Sequence, residues 1–153
     1  MMSKERKIVV FSINGEEFAT DIFQVERILG YTEPVKVPEA PSYVKGVIKY
    51  EGKIIPIIDV IKRFNLNETN TNSDKKIIVV KNADKKAGLI VDNVSEVTDI
   101  NGDIIEDAPD IVKGITNKYV SGIVKLNERI IILINTENIL SKDDINVLNS
   151  IMQ

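Results

Sequence analysis

Carboxylates are the only abundant acid or base groups in this chain of 153 residues, which contains no His and no Cys. That removes an imidazole base, a thiol nucleophile, a disulfide, a Cys/His zinc cage and a phospho-accepting histidine. Three adjacent acidic pairs remain to be weighed: Glu16/Glu17, Glu106/Asp107 and Asp143/Asp144. Neighbours on a strand point to opposite faces, so Glu16 and Glu17 cannot converge on one substrate. Asp143 and Asp144 stand where a helix N-terminus takes negative charge, and Glu106/Asp107 precede Pro109 in a turn. Asp59 ends the apolar run from Ile54, and a carboxylate there needs a backbone donor or a partner, which reads as a turn or cap. Asp99-Ile100-Asn101-Gly102-Asp103 lacks the later Glu of a calcium loop, and neither GxxxxGK[ST] nor GxGxxG occurs. The expectation is a protein without catalytic residues, metal or cofactor, which works by binding through grooves, edges and apolar patches.

Charge narrows the partners. Lys and Arg number 20 against 23 Asp and Glu, a net charge of −3, and the sole basic block is the short head from Lys4 to Lys7. Nucleic acid and anionic lipid are therefore poor partners. The hydrophobic fraction of 43% beside 28% charged residues belongs to a globular class. The longest unbroken apolar stretch, Ile130 to Ile134, falls far short of the roughly 20 residues that cross a bilayer. Met1 to Lys7 does not read as a signal peptide. A cytoplasmic protein with no direct membrane insertion is expected.

The elements that must position any binding surface are mainly strands. Ile and Val cluster in runs bounded by Gly, Asn, Asp and Lys, and β-branched side chains favour the pleat. The pattern predicts strands over 7–13, 17–21, 26–31, 44–50, 53–59, 76–81, 86–91, 95–99, 120–126 and 129–135. Asn14-Gly15, Glu51-Gly52, Asn82 to Asp84 and Asn127-Glu128 have hairpin spacing. Short, regularly spaced strands argue for barrels or a sandwich. One α-helix is expected over 141–152, where Ile145, Leu148, Ile151 and Met152 recur at helical spacing. The polar run Asn65 to Asp74 reads as an exposed connection.

The two sides of that connection resemble each other. An offset of 69 residues sets Ile8 on Ile77, Ile22 on Val91, Val25 on Val94 and Ile28 on Val97. An offset of 76 sets Gly46-Val47-Ile48-Lys49 on Gly122-Ile123-Val124-Lys125 and Ile54 to Ile58 on Ile130 to Ile134. The seven extra residues fall within Ile100 to Tyr119. A duplication is expected, with halves at 7–66 and 75–140 sharing a core inside one domain of residues 1–153. About 65 residues make a marginal domain alone, so the halves should unfold together.

A series of segments carries a family resemblance. Asp21-Ile22-Phe23-Gln24-Val25-Glu26-Arg27-Ile28-Leu29-Gly30-Tyr31, Val37-Pro38-Glu39-Ala40-Pro41, Lys45-Gly46-Val47-Ile48 and Ile55-Pro56-Ile57-Ile58-Asp59-Val60 come in order, followed by Phe64. Asp92 to Val97, Ile104 to Pro109 and Arg129 to Asn135 continue it. The chain resembles the CheW family of bacterial chemotaxis coupling proteins over nearly its whole length. The resemblance implies two intertwined five-stranded SH3-like β-barrels around a common hydrophobic core. It also implies a non-enzymatic adaptor, recruited to membrane-attached arrays, that couples chemoreceptors to the histidine kinase CheA. The kinase's regulatory domain would meet a surface at or supported by Ile22, Val25 and Gly46, and the receptor's helical tip would enter a groove. Val94, Val97 and Val120 are candidate walls of that groove, since a helical tip needs apolar walls to grip.

One departure from the family stands out. In the family's E-I-R-G-Y pattern this chain carries Arg27 in place of Glu, and in its N-L-R-G pattern it carries Glu51 in place of Arg. A reversed ion pair between the two is expected, contributing about 0 to 1 kcal/mol if exposed and costing about 3 to 5 to break if buried. Such a reversal would bear on partner choice. Two other readings stay open: an adaptor of the same fold in another kinase pathway, and an oligonucleotide-binding β-barrel. The acidic balance and an aromatic content of 5% argue against the second.

Overall fold

Strands that are apolar at consecutive positions must be buried on both faces, and the core clusters follow from that. The computed structural model describes residues 5–67, 75–82, 85–107, 111–112, 115–116 and 119–139. In the first half, β1 (Glu5–Ile13), β2 (Glu16–Asp21), β3 (Val25–Gly30), β4 (Val44–Tyr50) and β5 (Lys53–Asp59) lead into a one-turn helix α1 (Val60–Arg63). The second half holds β6 (Lys76–Asn82), β7 (Lys85–Val91), β8 (Asn93–Asn101), β9 (Ile105–Glu106), β10 (Ile111–Val112), β11 (Ile115–Thr116), β12 (Val120–Leu126) and β13 (Arg129–Ile134). All ten expected strands form, with ends displaced by up to two residues. The expected C-terminal helix over 141–152, with Asp143 and Asp144, lies outside the described residues.

The strands pair as a six-stranded sheet in the order β8-β1-β2-β13-β12-β9 and a five-stranded sheet in the order β3-β6-β7-β5-β4. With the two-residue strands β9, β10 and β11 left out and the rest numbered within each half, both sheets read third, first, second, fifth, fourth. The first two strands of each half sit in the sheet completed by the other half. Registers repeat with the order. Val9 opposes Val97 as Ile78 opposes Ile28, and the irregularity at Val10/Phe11 recurs where Val79 and Val80 meet Arg27 and Val25. The parallel contact of Leu133 with Ala19 matches that of Ile57 with Gly88. Val44 on Ile58 and Gly46 on Ile57 match Val120 on Ile134 and Gly122 on Leu133. A duplication with exchanged hairpins accounts for all of these at the offsets of 69 and 76 seen in the sequence.

Alternate residues divide the core into three. Ile8 and Val10 join Val124, Ile131 and Leu133 in a cluster private to the six-stranded sheet. Ile77 and Val79 join Tyr50, Ile55 and Ile57 in one private to the five-stranded sheet. Between them, Phe11, Phe18 and Ile132 from one sheet meet Ile58, Ile78 and Leu89 from the other. Phe11, Phe18, Phe64 and Tyr119 form a continuous aromatic row with centroids 5.3 to 6.2 Å apart. Arg63 on α1 lies over the rings of Tyr43 and Tyr119, which are equivalent positions of the two halves. Backbone pairing closes neither sheet among the described residues.

Candidate protein-docking surfaces

Apolar side chains left outside three well-filled cores are the first candidates for contact with another protein. The large exposed ones are Phe23, Ile28, Val35, Ile54, Val97 and Ile130. Four of these six are duplicates. Ile28 on β3 corresponds to Val97 on β8, and Ile54 on β5 corresponds to Ile130 on β13. Strands β3 and β8 are the third strands of their halves and lie at sheet edges, each paired on one side only. The fold therefore presents two equivalent faces, each with an apolar residue on an edge strand.

Of the residues named for the kinase face, Ile22 lies in the 3-10 turn Ile22–Gln24 and is half-buried. Asp21 caps that turn through the Phe23 amide and pairs with Arg6 at 3.2 Å. Phe23, next to Ile22, is 80% exposed. Val25 is half-buried against the shared core. Gly46 sits apart on β4, where a Cβ would overlap the Val35 carbonyl oxygen. Its role is to admit the Val35 segment, which pairs with Val47 through two backbone bonds of 2.9 Å and carries an exposed side chain.

The groove candidates divide. Val97 is 51% exposed, Val94 is half-buried at the margin of the shared core, and Val120 is buried inside it. Val120 therefore supports the surface from beneath instead of lining it. Val94 and Val25 are equivalent positions, so the two faces proposed for different partners share one design.

Charged clusters flank both edge strands. Arg27 and Glu51 approach to 3.5 Å, with side chains 57% and 52% exposed. Arg27 also lies over the Tyr50 ring at 5.8 Å, and Lys86 pairs with Glu26 at 3.0 Å. The Lys86 contact holds the Glu26 carboxyl below the usual range, while burial pushes the Tyr50 phenol up to about 12. On the other sheet Arg129 makes a two-pronged contact with Glu17, at 2.9 and 2.7 Å, and a third bond to Glu96 at 2.6 Å. Those bonds lower the Glu17 pKa and raise that of Arg129. Glu96 is the equivalent of Arg27, so the edge strands carry opposite charge at matching positions.

Asp59 is the N-cap of α1, accepting from the amides of Ile61 and Lys62. No group of three or more acidic side chains that could hold a metal is found among the described residues. Phe23, Val35, Ile54 and Ile130 are not among the surface residues expected from the sequence: Ile54 and Ile130 stand in strands, and nothing local marks Phe23 or Val35 as exposed. The duplication offsets pair Ile54 with Ile130, which was the available signal. The Glu17, Arg129 and Glu96 cluster gave none, since its members lie 112 and 33 residues apart.

Comparison with known proteins agrees with this geometry. The family model described as CheW-like domain matches residues 7–144. The chain is 34% identical over 137 residues to the chemotaxis protein CheW of Bacillus subtilis, covering 90% of this chain and 88% of the relative. It is 33% identical over 140 residues to CheW of Helicobacter pylori, covering 90% and 82%. The crystal structure of the scaffolding protein TtCheW from Thermoanaerobacter tengcongensis superposes with a TM-score of 0.84 at 38% identity, covering 91% of this chain and 94% of that one.

Proposed function

Because the chain belongs to the CheW-like domain family, whose members are chemotaxis scaffolds, we propose that it couples chemoreceptors to the histidine kinase CheA in membrane-attached arrays. It does so by equilibrium binding, with no substrate turned over. The observation that carries this reading is the pair of equivalent faces on one body, marked by Ile28 and Ile54 on one sheet and Val97 and Ile130 on the other. A shared core holds the faces in fixed relation, and two contacts made by one rigid body raise the effective concentration of each partner for the other. The kinase's regulatory domain takes the face supported by Ile22, Val25 and Gly46. The receptor's helical tip lies along Val94 and Val97, with Val120 behind them. The protein acts in the cytoplasm and reaches the membrane through its receptor.

Sedimentation of the chain with a receptor fragment and with CheA tests this. Val97→Asp should abolish co-sedimentation with receptor and leave CheA binding and circular dichroism unchanged. A wild-type chain that binds neither partner would overturn the reading.

A further inference from the structure

Duplication gives each sheet a crevice at the C-terminal end of its parallel strand pair, and the two crevices carry opposite charge. The crevice beside β5 and β7 has a volume of about 510 Å³ and is lined by Lys36, Lys45, Lys62 and Lys75 with Asp59 and Asp92. Its twin beside β13 and β2, about 370 Å³, places Ser121 where the first has Lys45, Asn135 for Asp59, Glu137 for Ile61 and Asp21 for Ile90. Four cations against two anions leave the first at +2, while Arg6, Asp21 and Glu137 leave the second at −1. The fold repeats the cavity and keeps a cation at one of the four lysine positions, Arg6 for Lys75, so the other three lysines are no by-product of the architecture.

The crevice's own carboxylates offset these lysines only in part. Asp59 accepts from two amides of α1, and Asp92 is buried and accepts from the Asn14 amide at 2.8 Å. Among the described residues, Lys36, Lys62 and Lys75 make no ion pair, and Lys45 lies over the Tyr31 ring at 5.5 Å. Like charges converging in a chain of net charge −3 make a local positive field that favours an anionic visitor. Ile61, half-buried, adds apolar surface beside the lysines, while Val44 and Ile90 are buried. Lys45 is the neighbour of Gly46 on β4, so the crevice borders the strand that carries one of the residues assigned above to the kinase.

We propose that this lysine crevice receives an acidic segment of the kinase when the two proteins dock, an inference that rests on the coupling role above. Lysines at a rim steer encounter and fix partner choice, so the contact should be steeply salt-dependent.

The test treats the complex of full-length chain and CheA with a carbodiimide, which joins a lysine amine directly to a carboxylate, and maps the joined peptides by mass spectrometry. Lys36, Lys62 or Lys75 should be found linked to Asp or Glu of CheA. The triple variant Lys36→Glu, Lys62→Glu, Lys75→Glu should bind CheA at least tenfold more weakly, with receptor binding unchanged. The corresponding triple Lys→Gln variant should show a smaller loss, and it serves if charge reversal disturbs folding. Unchanged CheA affinity in both variants, or cross-links confined to other lysines, would overturn the inference while leaving the coupling role intact. Protection of these lysines by inorganic pyrophosphate, without effect on CheA binding, would overturn it in favour of a small-anion site. Failure of the wild-type chain to bind CheA would remove the coupling role itself.

Discussion

Exchanging the charges of Arg27 and Glu51 separates the stability of the fold from the choice of partner. The two groups lie 3.5 Å apart and are each more than half exposed. At that separation in water the Coulomb attraction is about 1 kcal/mol before screening, and exposed pairs contribute about 0.2 to 1. The cost of about 3 to 5 kcal/mol that breaking a buried pair would carry is thus excluded. Glu51→Arg loses the attraction and sets two cations together, a destabilisation of about 1 kcal/mol. Arg27→Glu should cost more, because Arg27 also covers the Tyr50 ring and that contact is of comparable size. The double variant restores the ion pair in reverse but not the ring contact, so it should recover most of the loss and stay slightly below wild type. Urea midpoints of the four proteins at low salt should give a coupling energy of about 1 to 2 kcal/mol, shrinking in 1 M salt where the Debye length is about 3 Å. Full additivity, or single variants destabilised by about 3 kcal/mol or more, would refute the reasoning. With folding so little affected, any large loss of CheA binding in a single variant reports the interface.

Gly46→Ala should destabilise by about 1 to 3 kcal/mol, because the added carbon meets the Val35 backbone and not a movable side chain. Hydrogen exchange at the Val47 amide, which bonds to Val35, should accelerate selectively, and an unchanged rate would contradict the account. Arg129→Ala should cost about 1 kcal/mol at pH 7, discounted for the partial exposure of all three groups. Glu17 has a lowered folded pKa, so its contribution is complete above its unfolded value of about 4.5 and disappears as pH falls through the folded one. The difference between variant and wild type in urea midpoint should therefore narrow below pH 4.5, and a gap constant down to pH 2 would argue for lost packing instead of lost charge.

Much of the local structure was legible in the residues. Val and Ile at successive positions marked strands buried on both faces, and Asn14-Gly15 and Glu51-Gly52 marked turns that take positive φ. Asp59 was legible as a cap, since a carboxylate closing an apolar strand has few other uses. The joint charge reversal at Arg27 and Glu51 pointed to a contact between them, which the 3.5 Å approach bears out. What the residues did not show was surface: Val120, a candidate groove wall, lies in the core, and Ile54 and Ile130 lie exposed within apolar strands.

By itself, then, the amino-acid order determined the strands, their turns, the duplication and the exclusion of imidazole and thiol chemistry. All but the duplication follow from short-range rules, pleat periodicity, β-branching, turn conformation and residue inventory, and the duplication follows from comparing the chain with itself at offsets of 69 and 76 residues. Only the tertiary structure decided that each half lends its first hairpin to the other, which of two apolar faces the shared core covers, and that Lys36, Lys45, Lys62 and Lys75 line one crevice. Periodicity records that a face is apolar and not what will cover it. The covering partner is chosen by contacts between distant segments, and their energy depends on how all the strands pack at once.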